Sequence, residues 1–485
     1  MRRDSAIPGR LGAVCLSAAL LAGCAADIAS APPDLELADR FINASETGVE
    51  ATMPQDWWAL FSDPELTRLI ERALAGNLTV ETAAARLEQA AFAVLAAKAQ
   101  LGPQVSGDAQ AAVQRLSLEN PQLQLVGDLP GFDRVVELYG LNAAARWEID
   151  LFGRLRAQRD AALAQFGSAQ AQSEFAKLSI AAEVTQTYFA IAEIEERLAI
   201  KRHQIAVLEQ LDGLVTLNVR RGLAAPLAAD RTNAELEGLR SGIPPLELAS
   251  QSARYRLSVL LGEAPRSDLL ADGAPAIPSA PALTYAATPA MLLRSRPDIV
   301  AAERQVAAAS ASVQQAIAER YPRLSLASFV GFLAGDALAL FGDRSLQAGA
   351  SADVSVPLFT SGQLKAGEGA SRARLREAIA QYRLTTLGAI AEVETALLGL
   401  EKQREALIAL ERAAASLDSA TERTRRANRA GVADLIDVLD VERQALETRE
   451  RVVIARADAA RQALEAFRAL GGGYAAPALA AKGGD

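Results

Sequence analysis

Two stretches of this chain alternate apolar and polar residues with a period of two. From Tyr139 to Leu151 the apolar residues occupy mostly odd positions, and from Leu346 to Leu358 they occupy even positions. This alternation over about twelve residues predicts strands with one apolar and one polar face, as in strands that cross an outer membrane between lipid and water. Amphipathic edge strands of a water-soluble sheet are the alternative.

Each of these strands follows a second, weaker one. Residues Val105 to Leu118 alternate poorly, and the segment from Leu324 to Phe332 carries an apolar face that Ser328 interrupts. Each half of the chain is therefore predicted to contribute one β-hairpin.

Long proline-free stretches rich in alanine, leucine, glutamate and glutamine predict helices around these hairpins. Gly222 and Gly431 each follow a very long helix and are typical C-cap residues; from each glycine a second helix leads back. A helix of this length is on the order of 100 Å long, more than a globular core needs. The predicted helices before and after the hairpins are Asp63–Gln100 and Arg154–Arg221 in the first half, and Thr288–Arg320 and Gln363–Ala430 in the second.

The sequence is internally duplicated. Pro103 and Pro322 occupy matching contexts 219 positions apart, whereas later matches, such as Gly153 with Gly362, lie 209 positions apart. The change of ten residues places one insertion in the first copy, in the loop from Glu119 to Asp133. Two copies are too few for a solenoid or propeller, so the pattern predicts a duplicated α+β domain with quasi-twofold structure.

The N-terminus has the pattern of an export signal. Basic residues precede an apolar run from Leu11 to Leu21, which is too short to span a bilayer. The small residues before Cys24 resemble a bacterial lipobox, which implies cleavage after residue 23 and a lipid on Cys24. Ala25 replaces the aspartate that often retains lipoproteins in the inner membrane, so outer-membrane delivery is expected. An ordinary secretory signal is the alternative.

Composition excludes several classes of function. Residues 1–23 contain three arginines and one aspartate, so the mature chain has a net charge of −11 and is not expected to bind nucleic acid. Cys24 carries lipid, and the single histidine, His203, lies in a charged run where a solvated side chain is expected. We therefore predict no enzyme activity, no metal and no cofactor other than the covalent lipid.

The mature chain contains no run of eighteen apolar residues, so any membrane span must consist of strands. Four strands leave two open edges, and each unpaired backbone group costs several kcal/mol in lipid. The chain must therefore oligomerise to close a barrel, and its long amphipathic hairpins would associate side by side as a tube.

Several motifs resemble those of the NodT-type outer-membrane lipoproteins of the TolC-like outer-membrane factor family. They are the Trp57–Leu66 opening, the lipobox, Leu151-Phe152-Gly153, the Ser295–Ile299 start of the second copy and both glycine turns. The resemblance implies a homotrimer with a twelve-stranded transmembrane β-barrel, four strands per chain, above a periplasmic α-barrel. It also implies passive export, with a periplasmic adaptor (membrane fusion protein) and an inner-membrane transporter, of the RND type, as partners.

The resemblance also implies a periplasmic gate at the start of the last helix. Asp437 and Asp440 match acidic gate residues of different family members, Ile436 matches an apolar constriction, and Arg443 matches a basic residue that links neighbouring helices. Ala433 stands where some members carry an arginine, which puts their particular closing salt bridge in doubt here. A solvated helix face is the alternative interpretation of the aspartates.

The two glycine turns are the expected contacts for the adaptor. Each places a small turn and an apolar residue at an exposed tip, although both are also ordinary C-caps. The predicted contact residues are Arg221, Gly222 and Leu223 in the first copy and Ala430, Gly431 and Val432 in the second.

The predicted organisation follows from these boundaries. A structural coiled-coil lipoprotein without a pore is an alternative of another class, and type I protein secretion is an alternative within the channel class; small-molecule efflux rests on the resemblance. The predicted segments are a signal peptide (1–23), a lipid-anchored tether (24–56), the first copy (57–262), a proline-rich and alanine-rich connector (263–287), the second copy (288–471) and a tail (472–485).

Overall fold

The computed structural model describes residues 37–43, 53–117, 133–270, 275–281 and 288–474, which fall into two compact units. The strand unit comprises Gln89–Gly167 and Glu303–Ala380; the helical unit comprises Asp34–Glu88, Ser168–Ala302 and Gln381–Asp485.

One antiparallel sheet of four strands forms the strand unit, and each copy supplies one hairpin, as predicted. The last strand ends at Ser355, before the predicted Leu358, because Pro357 cannot donate to a ladder. In the order in which they pair, the strands are β1 (Gln104–Arg115), β2 (Val135–Ile149), β3 (Arg323–Ala334) and β4 (Leu346–Ser355).

The pairing of the strands preserves both sequence offsets. Gln104 of β1 pairs with Arg146 of β2, and Arg323 of β3 pairs with Ser355 of β4. Strands β1 and β3 are thus related by 219 positions, and β2 and β4 by 209. The ladders confirm that the insertion lies between β1 and β2; most of that loop, residues 118–132, falls outside the described residues.

One face of the sheet is apolar and exposed in the single chain. It follows the odd positions of β1 and β2 and the even positions of β3 and β4, as the alternation predicts. Its exposed large residues are Val105, Val113, Val135, Leu141, Trp147, Leu326, Val330, Leu346 and Val354. Among the described residues, β1 and β4 pair with a strand on one side only.

Helices make up the remaining regular structure. The two longest have 67 residues each, end one residue before the predicted position, and are on the order of 100 Å long. Within the described part of the chain no helix is long and apolar enough to cross a membrane. The α-helices are α1 (Pro64–Gly76), α2 (Leu78–Ala99), α3 (Arg154–Arg220), α4 (Pro226–Ser241), α5 (Ile243–Leu260), α6 (Pro289–Ser295), α7 (Pro297–Ala318), α8 (Gln363–Arg429) and α9 (Leu435–Ala469).

The first helix of each copy is interrupted, whereas the sequence pattern predicted a continuous one. The backbone is extended at Asn77 and at Arg296, which are 219 positions apart and therefore equivalent. Pro297 explains the second break, because the residue before a proline avoids the helical conformation.

The same two residues hold the far ends of their copies. The Asn77 side chain donates from Nδ2 to the Leu260 carbonyl at 2.8 Å, and the Arg296 side chain donates from Nη1 to the Ala469 carbonyl at 3.0 Å. Leu260 and Ala469 are the last residues of α5 and α9 and lie 209 positions apart. Equivalent breaks thus satisfy equivalent helix-end carbonyls that would otherwise lack a partner.

The return helices of the two copies differ. In the first copy Gly242 separates α4 from α5, and Pro244 and Pro245 follow at the start of α5, where a missing N–H costs no helical bond. In the second copy α9 runs without a break over 35 residues.

The core of the helical unit is built around aromatic residues. Phe61 lies at the end of a 3-10 turn, with its ring centroid 5.1 Å from that of Phe189 on α3 and 5.9 Å from that of Phe467 on α9. Trp57, at the start of the same turn, is 1% exposed and lies 6.0 Å from Phe467. Burial of such large apolar side chains is the main source of stability of this unit.

Asp63 joins local structure to this core. Its carboxylate caps α1 by accepting bonds from the N–H groups of Glu65 and Leu66, and it accepts a bond of 2.8 Å from the Tyr188 hydroxyl. Burial and the bond to Asp63 raise the pKa of Tyr188, so this hydroxyl remains a donor.

The described part of the predicted tether is docked. Phe41 is 2% exposed. The backbone N–H groups of Ile42 and Asn43 donate to the Glu394 carboxylate of α8 at 2.6 and 3.0 Å. Residues 37–43 therefore belong to the helical unit, while the predicted lipid site at Cys24 lies outside the described residues.

Candidate functional site

The two glycine turns have the same geometry. In the first, the Gly222 N–H donates to the Val219 carbonyl at 3.0 Å and the Leu223 N–H donates to the Asn218 carbonyl at 2.8 Å. Gly431 and Val432 make the equivalent bonds to Asn428 and Ala427, at 2.9 Å each. This pair of bonds defines a Schellman motif.

The glycines are required by the backbone and not by crowding. Gly222 and Gly431 have φ values of +73° and +72°, in the left-handed region. A Cβ at either position would have no neighbour within 4 Å. The next residues, Leu223 and Val432, are 74% and 81% exposed. The predicted contact residues therefore form two tips, each with an apolar side chain in solvent.

The start of α9 is acidic, and its aspartates have different surroundings. Asp434 precedes the helix, and its N–H donates to the Asp437 carboxylate at 3.2 Å, which is one half of a capping box. Asp437 thus stabilises the helix start. Ile436 is 39% exposed.

Asp440 forms part of an ionic network with Arg443. The Arg443 guanidinium lies 3.0 Å from Asp440, 2.8 Å from Glu447 and 3.3 Å from Glu235 of α4. Partial burial lowers the pKa of Arg443, but these carboxylates outweigh it, so the net pKa is raised and the side chain stays charged. Arg443 therefore links α9 to α4 of the other copy.

A second link, which the sequence alone did not indicate, lies one residue earlier. The Glu442 carboxylate is 2.8 Å from Arg425 of α8 and 3.4 Å from Nε2 of His203 on α3. His203 is mostly exposed, as expected, but it has a neighbour. Nothing in the local pattern of Lys201-Arg202-His203 identifies Glu442, since the two are 239 positions apart.

An apolar cluster lies under these links. Leu439 and Leu446 of α9 pack with Val207 of α3, and all three are buried. The acidic start of α9 is therefore anchored on one side by packing and on the other by ion pairs. The structure brings Asp440 and Arg443 together, leaves Asp437 in a cap, and leaves Ile436 at the surface. Within the described residues no group of three or more potential ligands could hold a metal ion.

A duplicated chain with an amphipathic sheet, helices on the order of 100 Å and exposed tips has the features that the resemblance to outer-membrane export channels implies. The chain belongs to the outer membrane efflux protein family, whose model matches residues 69–263 and 288–473. These two matches coincide with the two copies, and they confirm the predicted family.

Known proteins resemble the chain over most of its length. The pyoverdine export outer membrane protein OpmQ of Pseudomonas putida is 31% identical over 361 residues, which cover 73% of this chain and 75% of the relative. Nodulation protein T of Rhizobium leguminosarum bv. viciae is 25% identical over 95% of this chain and 93% of its own. The solved outer-membrane channel OprN has a TM-score of 0.79 at 28% identity, covering 91% of this chain and 99% of the other.

These relatives establish the fold and the general function. The predicted fold class is confirmed, and so is the role of an outer-membrane channel through which an efflux pump exports its substrate.

Proposed function

We propose that three copies of this chain form the outer-membrane exit duct of a tripartite pump that exports small molecules without changing them. The open sheet carries this proposal: β1 and β4 each have one free edge among the described residues. A ring of twelve strands would pair the backbone groups at both edges of every chain's sheet, and the exposed apolar face would contact lipid. Small molecules are favoured over secreted proteins because relatives are named for the export of pyoverdine and toluene.

The gate in this proposal is the start of α9. Symmetry would bring three copies of Asp437 and three of Asp440 around one axis, so the carboxylates would repel one another and concentrate cations. Ile436, exposed beside them, would narrow the same passage. The link from Arg443 to Glu235 would restrain α9 against α4 and oppose widening.

The partners follow from the ends of the molecule. Leu223 and Val432 at the two tips offer apolar contacts to the helical hairpin of a periplasmic adaptor, which would in turn bring an inner-membrane transporter of the RND type. Near the N-terminus, a lipid-modified Cys24 would anchor the mature chain to the outer membrane. One or two acyl chains add membrane affinity that a soluble tether lacks.

Conductance through planar bilayers tests the proposal. The full chain should give small, mostly closed, cation-preferring pores. Asp437→Ala combined with Asp440→Ala should raise conductance and weaken the cation preference, because the counterion-binding carboxylates and the Asp440 contact with Arg443 are both lost.

A charge-matched control removes two carboxylates from α8, Glu405→Ala with Glu411→Ala, and should leave both quantities unchanged. If the control and the gate variant conduct alike, the constriction lies elsewhere. If the full chain forms no pores at all, the proposed trimeric duct with a gate at the start of α9 fails.

A further inference from the structure

The strand pairing between the two repeats of one chain predicts the strand pairing between neighbouring chains. Strand β2 belongs to the first copy and β3 to the second, and they pair antiparallel from Tyr139 with Ala334 to Ile149 with Leu324. In a closed ring, β4 would meet β1 of the next chain. That contact, like the one between β2 and β3, joins the last strand of one repeat to the first strand of the next repeat.

The two copies are equivalent in detail. The ten β1–β2 pairs from Gln104 with Arg146 to Val113 with Glu137 map onto the ten β3–β4 pairs when 219 is added to the β1 position and 209 to the β2 position. The same offsets relate the side-chain bonds of Asn77 and Arg296 to the last carbonyls of α5 and α9. The offsets of 219 and 209 therefore relate the two repeats in both the strand unit and the helical unit.

We infer that β4 pairs with β1 of a second copy of this chain in the register that the β2–β3 boundary dictates. This inference rests on the proposed ring of identical chains. Adding 209 to a β2 position gives the β4 position, and subtracting 219 from its β3 partner gives the β1 position of the next chain. The pair of Ala144 with Phe329 thus predicts Asp353 with Gln110, and the pair of Arg146 with Ala327 predicts Ser355 with Asp108. The full ladder would run from Ala348 with Arg115 to Leu358 with Val105.

The alternation of side chains supports this register independently. It places apolar positions of β4 opposite apolar positions of β1, for example Ala350 opposite Val113 and Leu358 opposite Val105. Val113, Val105 and Leu358 are 68%, 74% and 90% exposed in the single chain. A slip by one residue would turn the apolar face of one strand toward the polar face of the other.

The hydrogen-bonding pattern distinguishes the positions along the new ladder. The Leu333 N–H donates to the Ser345 carbonyl at 2.8 Å, so odd positions of β3 bond to β4 and even positions bond to β2. Phe329 and Ala144 therefore form a non-hydrogen-bonded pair, and Asp353 with Gln110 would inherit that geometry. Pro357 falls at an odd position, so its missing N–H would face β3 and not the new edge.

Non-hydrogen-bonded pairs bring Cα atoms to about 4.5 Å, within the range that a disulfide requires. The test is a full chain carrying Asp353→Cys and Gln110→Cys, oxidised in the membrane and then denatured without reductant. One bond at each boundary closes the ring, so most of the protein should migrate as a covalent trimer. Ser355→Cys with Asp108→Cys provides a second in-register pair in case the first variant folds poorly.

Two controls keep the face and shift the register by two residues: Asp353→Cys with Ala112→Cys, and Asp353→Cys with Asp108→Cys. Diagonal neighbours lie about 7–8 Å apart, so these variants should stay uncrosslinked. Preferential crosslinking of either control would overturn the register. So would a lack of bonds in both in-register pairs when native mass measurement gives trimers. A native monomer would overturn the proposed trimer itself, and the pairing with it.

Discussion

Two glycines at equivalent positions are fixed by the same close contact. Gly262 and Gly471 follow the last turns of α5 and α9 with φ values of +77° and +94°. A Cβ at Gly262 would collide with the Gly76 carbonyl, and one at Gly471 with the Ser295 carbonyl. The tip glycines share the backbone conformation but have open space around them. Substitutions at the tip glycines therefore test backbone strain alone, whereas substitutions at Gly262 and Gly471 add a steric collision.

We predict that Gly471→Ala destabilises the helical unit more than Gly431→Ala. Both changes force a side chain into the left-handed region, at a cost of about 1 kcal/mol, but only the first also meets backbone. Thermal unfolding followed by helical circular dichroism checks this, with Gly431→Ala as the matched control. Equal melting temperatures for the two variants would contradict the contact.

Arg296 is the most heavily engaged buried cation of the described residues. Its side chain is 7% exposed and bonds Asp298, Glu392 and the Ala469 carbonyl. Arg296→Met should cost about 3 kcal/mol, since it leaves the buried Ala469 carbonyl and the largely buried Asp298 carboxylate without their cationic partner. Arg256→Met breaks an exposed pair with Glu183 and should cost less than about 1 kcal/mol. Equilibrium unfolding in denaturant measures both, and similar losses would refute the assignment.

At the scale of elements, the sequence was sufficient wherever periodicity or a helix cap decided the outcome. The strong alternation from Tyr139 predicted β2, and the glycines predicted the ends of α3 and α8 to within one residue. The breaks at Asn77 and Arg296 were missed. Pro297 was a usable signal for the second. The first also had a local signal, since Asn77 follows Gly76 and its Oδ1 accepts bonds from the Thr79 and Val80 N–H groups at the start of α2. Only its bond to Leu260, 183 positions away, leaves no local pattern.

The contact between α3 and α5 makes stability depend on pH. Glu195 of α3 accepts bonds from Ser250 at 2.6 Å and Arg254 at 3.1 Å. Burial alone would raise the pKa of Glu195, but these two bonds outweigh it and lower the pKa below its ordinary 4.5. The contribution to stability is therefore complete above that ordinary value and is lost as pH falls through the lowered pKa of the folded state.

We expect Glu195→Gln to lower the melting temperature at neutral pH and to lose less stability than the wild type on acidification. The difference between the two proteins should shrink as the pH falls below about 4.5. Thermal melts across that range measure it. Because every other carboxylate is common to both proteins, a difference that stays constant with pH would contradict the lowered pKa.

At the scale of the whole molecule, the single chain is incomplete. In the part of the chain that the structure describes, β1 and β4 each lack a partner strand on one side, and one apolar face of the sheet is exposed. We predict that native mass measurement of detergent-extracted protein gives a trimer, and that Cys24→Ala removes lipid labelling without changing this stoichiometry. A stable monomer with inserted strands would contradict the argument from edge closure.

Assembly is also where prediction from one sequence reached its limit. The need for several chains follows from the strand count, but the number three came from family resemblance. The proposed gate shows the same division: Asp437 and Asp440 could be picked out by likeness, whereas the contacts of Arg443 with Glu235 and of Glu442 with His203 join distant parts of the chain. Such contacts depend on packing between helices and leave no mark in local spacing.

The insertion between β1 and β2 has a practical consequence. Ten residues were added there without shifting the ladder on either side, as the offsets of 219 and 209 record. The two equivalent connections thus differ in length while the strand pairing is the same, which indicates that this connection tolerates insertions. An epitope or fluorophore-binding peptide placed between Glu119 and Asp133 would label every chain of the assembly while leaving the strand register and both helical tips unaltered.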